Sequence, residues 1–192
     1  ILLNRISTAK RLHCIFLSSE YLDYAKQFLH FVSEITAYSF VAEPASPVTP
    51  IATSCRIVEK PLDSDASYMS LLDQDPGLGY VVEQVYKEYG NDPSRFRVFA
   101  AYDHITTELR AYAFFVQIDN HLWELSRYVS FAKSSDDPLR ACIAAGTESL
   151  VSLGFYVSNT GVQENDRVFL ELAPLMGYQE LYRFTSGMVE KI

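Results

Sequence analysis

The chain has 192 residues, a formal net charge of −8 and 48% hydrophobic residues, which suits a single domain with a sizeable core and excludes disorder over most of its length. The acidic balance also excludes a non-specific nucleic-acid binder, because a surface that tracks phosphates needs clustered lysine and arginine. It is compatible with basic or amine substrates and with a cytoplasmic protein.

Cysteine and histidine spacing gives no metal-site or disulfide pattern. The three cysteines include no CxxC motif, and the four histidines form neither HxxxH nor HExxH. No apolar run reaches the roughly 18 residues of a membrane-spanning helix, and residues 1–17 lack the continuous hydrophobic stretch of a signal peptide. We therefore expect neither a metal nor a membrane span.

The first segment, residues 1–42, predicts a strand followed by a helix. Residues 11–17 have the composition of a strand, and in residues 18–40 apolar side chains recur at helical spacing behind a serine N-cap. Residues 43–54 form the next segment, in which prolines at every third position favour an extended connector.

The elements after the connector are short. Residues 52–61 predict a strand that Pro61 closes, and residues 63–74 predict a short helix. Residues 75–79, with the sequence DPGLG, predict a turn before a helix that ends at Gly90.

The second half of the chain predicts a three-stranded antiparallel meander, followed by alternating helices and strands. The three strands are residues 95–103, 109–119 and 121–131, and the elements after them are a helix (134–154), a strand (155–162), a helix (164–178) and a strand (180–189). This order predicts an α/β (α+β) fold, with a mixed, mainly antiparallel central sheet flanked by helices on both faces.

That order resembles the GNAT acyltransferase superfamily, most clearly over residues 95–189. In the stretch NDRVFLELAPLMGYQELYRFTSG, Asn165 leads a helix that ends in the Gly177-Tyr178 pair before the last strand, as in the family. The resemblance implies a single GNAT-like acyltransferase domain over residues 1–192.

The resemblance also implies where the substrates bind. The co-substrate would be acetyl-CoA or another acyl-CoA, the acceptor would be a small-molecule or peptide amine, and no metal would take part. The acyl arm would lie beside the strand 121–131 and the helix that begins at Asp137. The backbone near Val129 and Phe131 would then hold the thioester carbonyl.

The loop before that helix departs from the family's glycine-containing phosphate loop. It reads AKSSDDPLRA, and Asp136 and Asp137 place negative charge where a diphosphate would lie. Backbone N–H groups and the helix dipole still favour an anion there. The expected ligands of the donor are Lys133, Ser134, Ser135, Arg140 and Asn165. The alternative is that the two carboxylates satisfy the helix dipole without any ligand.

Two further positions bear on the resemblance. The family often has a tyrosine acid four residues before the glycine of its Gly-aromatic pair, and Ala173 stands there. The stretch QDPGLG, residues 74–79, matches the spacing of the phosphate loop. Because it precedes the meander, we interpret it as a plain turn.

The stretch LWELSR, residues 122–127, places charged side chains on a strand. Regular alternation sends Glu124, Ser126 and Tyr128 to one face and Trp123, Leu125, Arg127 and Val129 to the other. The stretch is similar to the Glu-x-[Ser/Thr]-Arg strand of acyl-homoserine-lactone synthases and long-chain N-acyl amino acid synthases. These are GNAT-like enzymes that take the acyl group from an acyl carrier protein. The alternative is a Glu–Arg pair that only ties elements together.

Acyl transfer to an amine needs a base for the ammonium, donors for the oxyanion and a positioned thioester. We predict Glu124 as the base, Ser126 as the residue that orients the substrate, and Tyr128 or Tyr182 as the acid for the leaving thiolate. The leading function is an acyl-CoA-dependent N-acyltransferase. One alternative uses an acyl carrier protein, and another is a catalytically degenerate binding module. The oligomeric state stays open, a homodimer included.

Three structural expectations follow. The helix from Asp137 to Leu153 should pack on a sheet whose centre contains Trp123 and Leu125. Arg127 should be partly buried and paired with a carboxylate, either Glu124 or an acid on a neighbouring strand, because a buried unpaired cation is costly. Burial should raise the pKa of Glu124 toward neutrality.

Overall fold

A single eight-stranded sheet organises the described part of the chain. A computed structural model describes residues 12–17, 19–60, 71–89, 92–133 and 135–191. The strands are β1 (Leu12–Phe16), β2 (Leu29–Ala42), β3 (Cys55–Lys60), β4 (Phe96–Asp103), β5 (Leu109–Gln117), β6 (Leu122–Ser130), β7 (Tyr156–Gln163) and β8 (Tyr178–Lys191). Their order is β1-β8-β2-β7-β6-β5-β4-β3, and every pairing is antiparallel except β6 with β7.

Helices cover both faces of the sheet, as the sequence predicted. They are α1 (Ser19–Lys26), α2 (Pro76–Tyr89), α3 (Asp137–Ser152) and α4 (Arg167–Leu172), with short 3-10 turns at Pro93–Arg95 and Ala173–Met176. One core cluster joins α2 to β4 and β5. A second cluster, on the opposite face, joins α3 and α4 to the middle of the sheet. The mixed, mainly antiparallel sheet is therefore confirmed.

Helix α3 packs against the centre of the sheet. Its buried residues include Leu139, Ile143 and Leu150, and they share a cluster with Trp123 and Leu125 of β6. At Gly146 the helix approaches so closely that an added Cβ would lie 2.2 Å from the Phe115 ring. The predicted packing of this helix is confirmed.

The predicted helix over residues 18–40 is wrong in its longer part. Helix α1 ends at Lys26, and Leu29–Ala42 form the long strand β2. Val32 and Ile35, which seemed to continue a helical stripe, are exposed on this strand. The physical reason is that β2 hydrogen-bonds to β7 on one side and β8 on the other, and its β-branched residues suit a sheet.

The predicted turn over residues 75–79 is also wrong. Helix α2 already begins at Pro76, so both glycines lie inside its first turn. Proline suits that first position because its missing N–H would have no helical partner there. The Asp75 side chain accepts a hydrogen bond from the Gly77 N–H at 3.1 Å. Of the short helix predicted over residues 63–74, only residues 71–74 are described, and they are helical.

Candidate active site

A gap opens between two neighbouring strands at the middle of the sheet. Strands β6 and β7 pair only over Leu122–Glu124 and Tyr156–Ser158. Beyond that point β6 continues to Ser130 without β7, while β7 continues to Gln163 paired only with β2 on its other edge. A parallel pair that ends after three residues leaves unpaired backbone groups on the facing edges, which can bind an extended ligand.

A β-bulge at Ser126 decides which side chains of β6 share a face. In the register with β5, Leu125 lies opposite Phe115 and Arg127 lies opposite Phe114, so Ser126 is the extra residue. The predicted alternation is therefore wrong beyond Leu125. Arg127 joins Glu124 on the α2 face, and Tyr128 joins Leu125 on the α3 face. Ser126 itself is exposed.

Glu124 is a mostly buried carboxylate on the α2 face of β6. It lies opposite Val116 of β5 and Ser158 of β7, neither of which carries charge. Within the described residues it makes no hydrogen bond or ion pair. Burial raises the pKa of Glu124, and the nearby carboxylate of Glu88 raises it further. The upward direction expected from the sequence is confirmed, and it suits a group that accepts a proton near neutral pH.

Arg127 pairs with Asp75, the residue just before α2. Its Nε and Nη2 atoms donate to the two Asp75 carboxylate oxygens at 2.5 and 2.7 Å, and the Tyr112 hydroxyl donates to the same carboxylate. The hydrogen bonds from Arg127 hold the pKa of Asp75 below its usual value of 3.8. The expected pairing of Arg127 with a carboxylate is confirmed, but the partner is Asp75 before α2, and not Glu124 or an acid on a neighbouring strand.

Tyr128 lies on the other face of the sheet, beside the gap. Its hydroxyl donates to Asp166, which also caps α4 by accepting the Phe169 N–H at 3.1 Å. Burial raises the pKa of Tyr128, and the bond to Asp166 raises it further. A phenol that holds its proton so firmly is a poor proton donor to a thiolate, so its predicted role as the acid is not supported by this environment.

Asn159 lies beside Tyr128, whereas Tyr182 lies away from the gap. The Asn159 side chain faces the Tyr128 hydroxyl, and its buried Nδ2 has no hydrogen-bond partner among the described residues. Tyr182, the second candidate acid, is an exposed residue of β8, which β2 separates from β7 and the gap.

The backbone at the end of β6 has N–H groups on both of its edges. The Phe131 N–H donates to the Arg110 carbonyl at 2.8 Å and is therefore not free to bind a thioester. Because successive N–H groups of a strand point in opposite directions, those of Tyr128 and Ser130 point toward the gap. The Val129 and Phe131 side chains pack on the α2 face.

The predicted phosphate ligands are scattered around the start of α3. Lys133, Ser135 and Asp137 line a cavity of about 240 Å³ together with Asp103 and Arg110. Cations and carboxylates balance in this cavity, and Ser135 Oγ accepts the Asp137 N–H at 3.0 Å. This balance suits a diphosphate poorly, because two negative groups need an excess of positive charge.

Three other predicted ligands of the donor do not gather there. The Arg140 side chain is paired with Glu171 of α4, which directs its charge away from the cavity. Asn165 is exposed and does not cap α4, a role that Asp166 fills. Ser134 lies outside the described residues. In the described part of the chain no three potential ligand side chains cluster closely enough to hold a metal ion.

Sequence reasoning missed Asp75, Asp166 and Asn159. Asp75 had a readable signal, since an aspartate directly before proline at a helix start is typical of a capping residue. Asp166 is also an aspartate at a helix start, one residue beyond the predicted Asn165, although Arg167 rather than a proline follows it. The buried position of Asn159 had no local signal. No helix in the described ranges has both the length and the apolar character to cross a membrane.

No protein-family model and no curated protein match this chain. Solved structures do match. A GCN5-related N-acetyltransferase from Sphaerobacter thermophilus has a TM-score of 0.65 at 11% identity, over 94% of this chain and 59% of that one. A GNAT-family acetyltransferase from Colwellia psychrerythraea has a TM-score of 0.60 at 11% identity, over 98% of this chain and 70% of that one. A GCN5-related N-acetyltransferase from Kribbella flavida has a TM-score of 0.56 at 15% identity, over 90% of this chain and 63% of that one.

These likenesses establish the fold. The chain has the GNAT-like fold that its element order predicted, with the parallel β6–β7 pair and the gap at its centre.

Proposed function

We propose that the chain is an N-acyltransferase that moves an acyl group from acyl-CoA, most simply acetyl-CoA, to the amine of a small molecule or peptide. The observation that carries the proposal is Glu124, an unpaired and mostly buried carboxylate on the strand that borders the gap. A desolvated carboxylate without a structural partner costs stability, and a base needs that environment.

The residues around the gap divide the chemistry among them. Glu124 accepts the proton of the acceptor ammonium, so that the neutral amine attacks the thioester carbonyl. The N–H groups of Tyr128 and Ser130 stabilise the oxyanion that forms on that carbonyl oxygen. The C–S bond then breaks, the thiolate takes a proton from the protonated Glu124, and the attacking nitrogen loses its second proton to water, which leaves a neutral amide and a free thiol. Ser126, exposed on the bulge, is placed to orient the acceptor.

A second candidate donor is an acyl carrier protein with a longer acyl chain. The first turn of α3 favours it, because Asp137 and the balanced cavity beside it suit the diphosphate of CoA poorly. A carrier protein presents a phosphopantetheine arm and needs no diphosphate site on the enzyme.

The base is tested by Glu124→Gln, which keeps the side-chain shape and removes the proton acceptor. We expect turnover to fall by about 10²- to 10⁴-fold, the usual worth of a positioned acid or base, while donor binding is retained. The matched control is Glu148→Gln, which removes an exposed carboxylate from α3. Wild-type turnover in Glu124→Gln would remove this residue from the mechanism.

The donor is tested by thermal unfolding with CoA, acetyl-CoA, long-chain acyl-CoA and an acyl carrier protein. A ligand that binds only the folded state raises the unfolding temperature. Stabilisation by acyl-CoA supports the first donor, and stabilisation by the carrier protein alone supports the second. If none of these donors stabilises the protein or supports transfer, the protein is a degenerate binding module.

A further inference from the structure

We infer that Asp75 is a positioning residue that holds the Arg127 guanidinium against the start of α2 and away from Glu124. Glu124 is thereby left as an unpaired base. This inference rests on the proposed function for its catalytic meaning, although its structural content can be measured without any substrate.

The bulge at Ser126 creates the need for such a device. With regular alternation, Arg127 and Glu124 would lie on opposite faces of the sheet. Because of the extra residue, both lie on the α2 face. About 7–10 Å of strand separates their Cα atoms, and an extended arginine side chain spans most of that distance. An unrestrained Arg127 would therefore pair with Glu124, the one acidic residue of β6.

Asp75 prevents that pairing by binding two nitrogens of the guanidinium. Arg127 Nε and Nη2 donate to the two oxygens of Asp75 at 2.5 and 2.7 Å. Asp75 is itself fixed by hydrogen bonds from the Gly77 N–H and the Tyr112 hydroxyl. Both the position and the orientation of the guanidinium are thus fixed, since a bidentate pair sets geometry as well as charge.

Gly77 contributes the space in which the guanidinium lies. An added Cβ at this position would lie 2.6 Å from Arg127 Nη2 and 2.9 Å from Cζ. A glycine in the first turn of α2 therefore allows the helix backbone and the guanidinium to meet. The feature that looked like a glycine-rich turn in the sequence accommodates this contact.

The charged groups that face Glu124 are few. Among the described residues, α2 contributes Glu88, β6 contributes Arg127, and the opposite positions on β5 and β7 are the uncharged Val116 and Ser158. With Arg127 held by Asp75, the remaining influences are burial and Glu88, and both favour the protonated form of Glu124. A carboxylate in that environment is ready to accept a proton near neutral pH.

The test is to follow the titration of Glu124 by NMR of protein with ¹³C-labelled glutamate carboxyl groups, assigned with Glu124→Gln. In Asp75→Asn the released guanidinium approaches Glu124, and we expect its midpoint to fall by about one pH unit or more. In the double variant Asp75→Asn/Arg127→Gln the cation is gone, so the midpoint should return to the wild-type value. Asp75→Ser serves as a second single variant, because its hydroxyl can still accept the Gly77 N–H.

An unchanged Glu124 midpoint in folded Asp75→Asn and Asp75→Ser would overturn the inference, and so would an equal fall in the double variant. Loss of the fold in both single variants, seen by circular dichroism, would make Asp75 a structural residue and also overturn it. In the enzyme, the acidic limb of kcat/KM against pH should move to lower pH in Asp75→Asn. If the NMR midpoint moves but no transferase activity exists, positioning stands and the proposed function fails. If activity exists and the midpoint is fixed, the function stands and positioning fails.

Discussion

Two carboxylates near opposite ends of helix α2 have pKa values shifted in opposite directions. At the start of the helix, Asp75 has donors from Arg127, Tyr112 and the Gly77 backbone, and its pKa is lowered. Toward the end of the helix, Glu124 has no hydrogen-bond donor among the described residues and faces the Glu88 carboxylate, and its pKa is raised. Both side chains are largely withdrawn from water. The difference shows that the supply of donors, rather than burial alone, sets the charge of a buried carboxylate.

The helix itself reinforces this contrast. The N-terminal end of a helix carries partial positive charge and its C-terminal end partial negative charge. Asp75 lies at the N-terminal end of α2. Glu88, which faces Glu124, lies in its last turn. One helix therefore stabilises an ionised carboxylate at one end and opposes ionisation at the other.

The largest effect should come from breaking the paired end. Arg127→Ala leaves the buried Asp75 without its cation, and we expect the free energy of unfolding to fall by about 2–4 kcal/mol, near the lower end for buried pairs because Arg127 is one-third exposed. The measurement is urea unfolding at pH 7. The control is Arg183→Ala, which breaks the exposed pair with Glu164 and should cost less than about 1 kcal/mol. Equal losses in the two variants would contradict the buried role of Asp75.

The two carboxylates should respond to pH with opposite signs. Asp75 has a lowered pKa in the folded state, so its pairing stabilises the protein above pH 3.8 and is lost as the pH falls through the folded value. Asp75→Asn should therefore cost about 1–2 kcal/mol at pH 7, with the difference from wild type shrinking below about pH 4.

Glu124 has a raised pKa, so its ionised form opposes folding as the pH rises above 4.5. Glu124→Gln should stabilise the protein at pH 7, and this gain should disappear below about pH 4. Urea unfolding from pH 3 to 8 measures both variants. The contrast between the two ends fails if both substitutions change stability in the same direction at pH 7.

A smaller effect should separate two glycines of α2. Gly77→Ala introduces a Cβ against the Arg127 guanidinium, so we expect a loss of about 0.5–1 kcal/mol even though alanine favours a helix. Among the described residues, the Cβ added in Gly79→Ala meets only the Leu72 side chain, at 3.3 Å, so this change should be neutral or stabilising. Thermal unfolding compares the two, and a Gly77→Ala protein that is the more stable one would show that the guanidinium moves aside freely.

The smallest effect should come from Glu88→Gln. Removing that charge takes away one of the two influences that disfavour ionised Glu124, so the NMR midpoint of Glu124 should fall by a few tenths of a pH unit. Glu148→Gln on α3, across the sheet, is the control and should leave the midpoint where it is. If the Glu124 midpoint is the same in Glu88→Gln as in the wild type, burial alone raises the pKa of Glu124.

Sequence patterns predicted the second half of the fold well because its signals are local. The meander strands, α3 and the Gly177 end of the last helix each depend on residues within about ten positions. The prediction was wrong at β2 because the partners of this strand, β7 and β8, lie far from it in the sequence. A helical period over Leu29, Val32 and Ile35 could not reveal those partners.

The site was predictable in its residues but not in its geometry. Glu124 and Arg127 were identified on β6, and both the raised pKa of one and the pairing of the other are confirmed. The faces of the sheet on which the two side chains lie were not both predicted correctly. One extra residue at Ser126 reverses the direction of every later side chain on β6, and it leaves no mark in the sequence. The pairing of Asp75 with Arg127 was hidden, because the whole of α2, β4 and β5 separates the two residues in the sequence.

The insertion of β2 between β7 and β8 also has a consequence for the order in which the protein is made. Residues 29–42 leave the ribosome well before residues 156–191, with which they form hydrogen bonds along both edges. Until then β2 has two open edges, which are the usual starting points of aggregation. Contacts so distant in sequence place folding in the slow class, about milliseconds to seconds. We therefore expect folding of β2 in the nascent chain to depend on a chaperone. The three-stranded meander, β4 to β6, should depend on one less, because its strands pair with one another as they emerge.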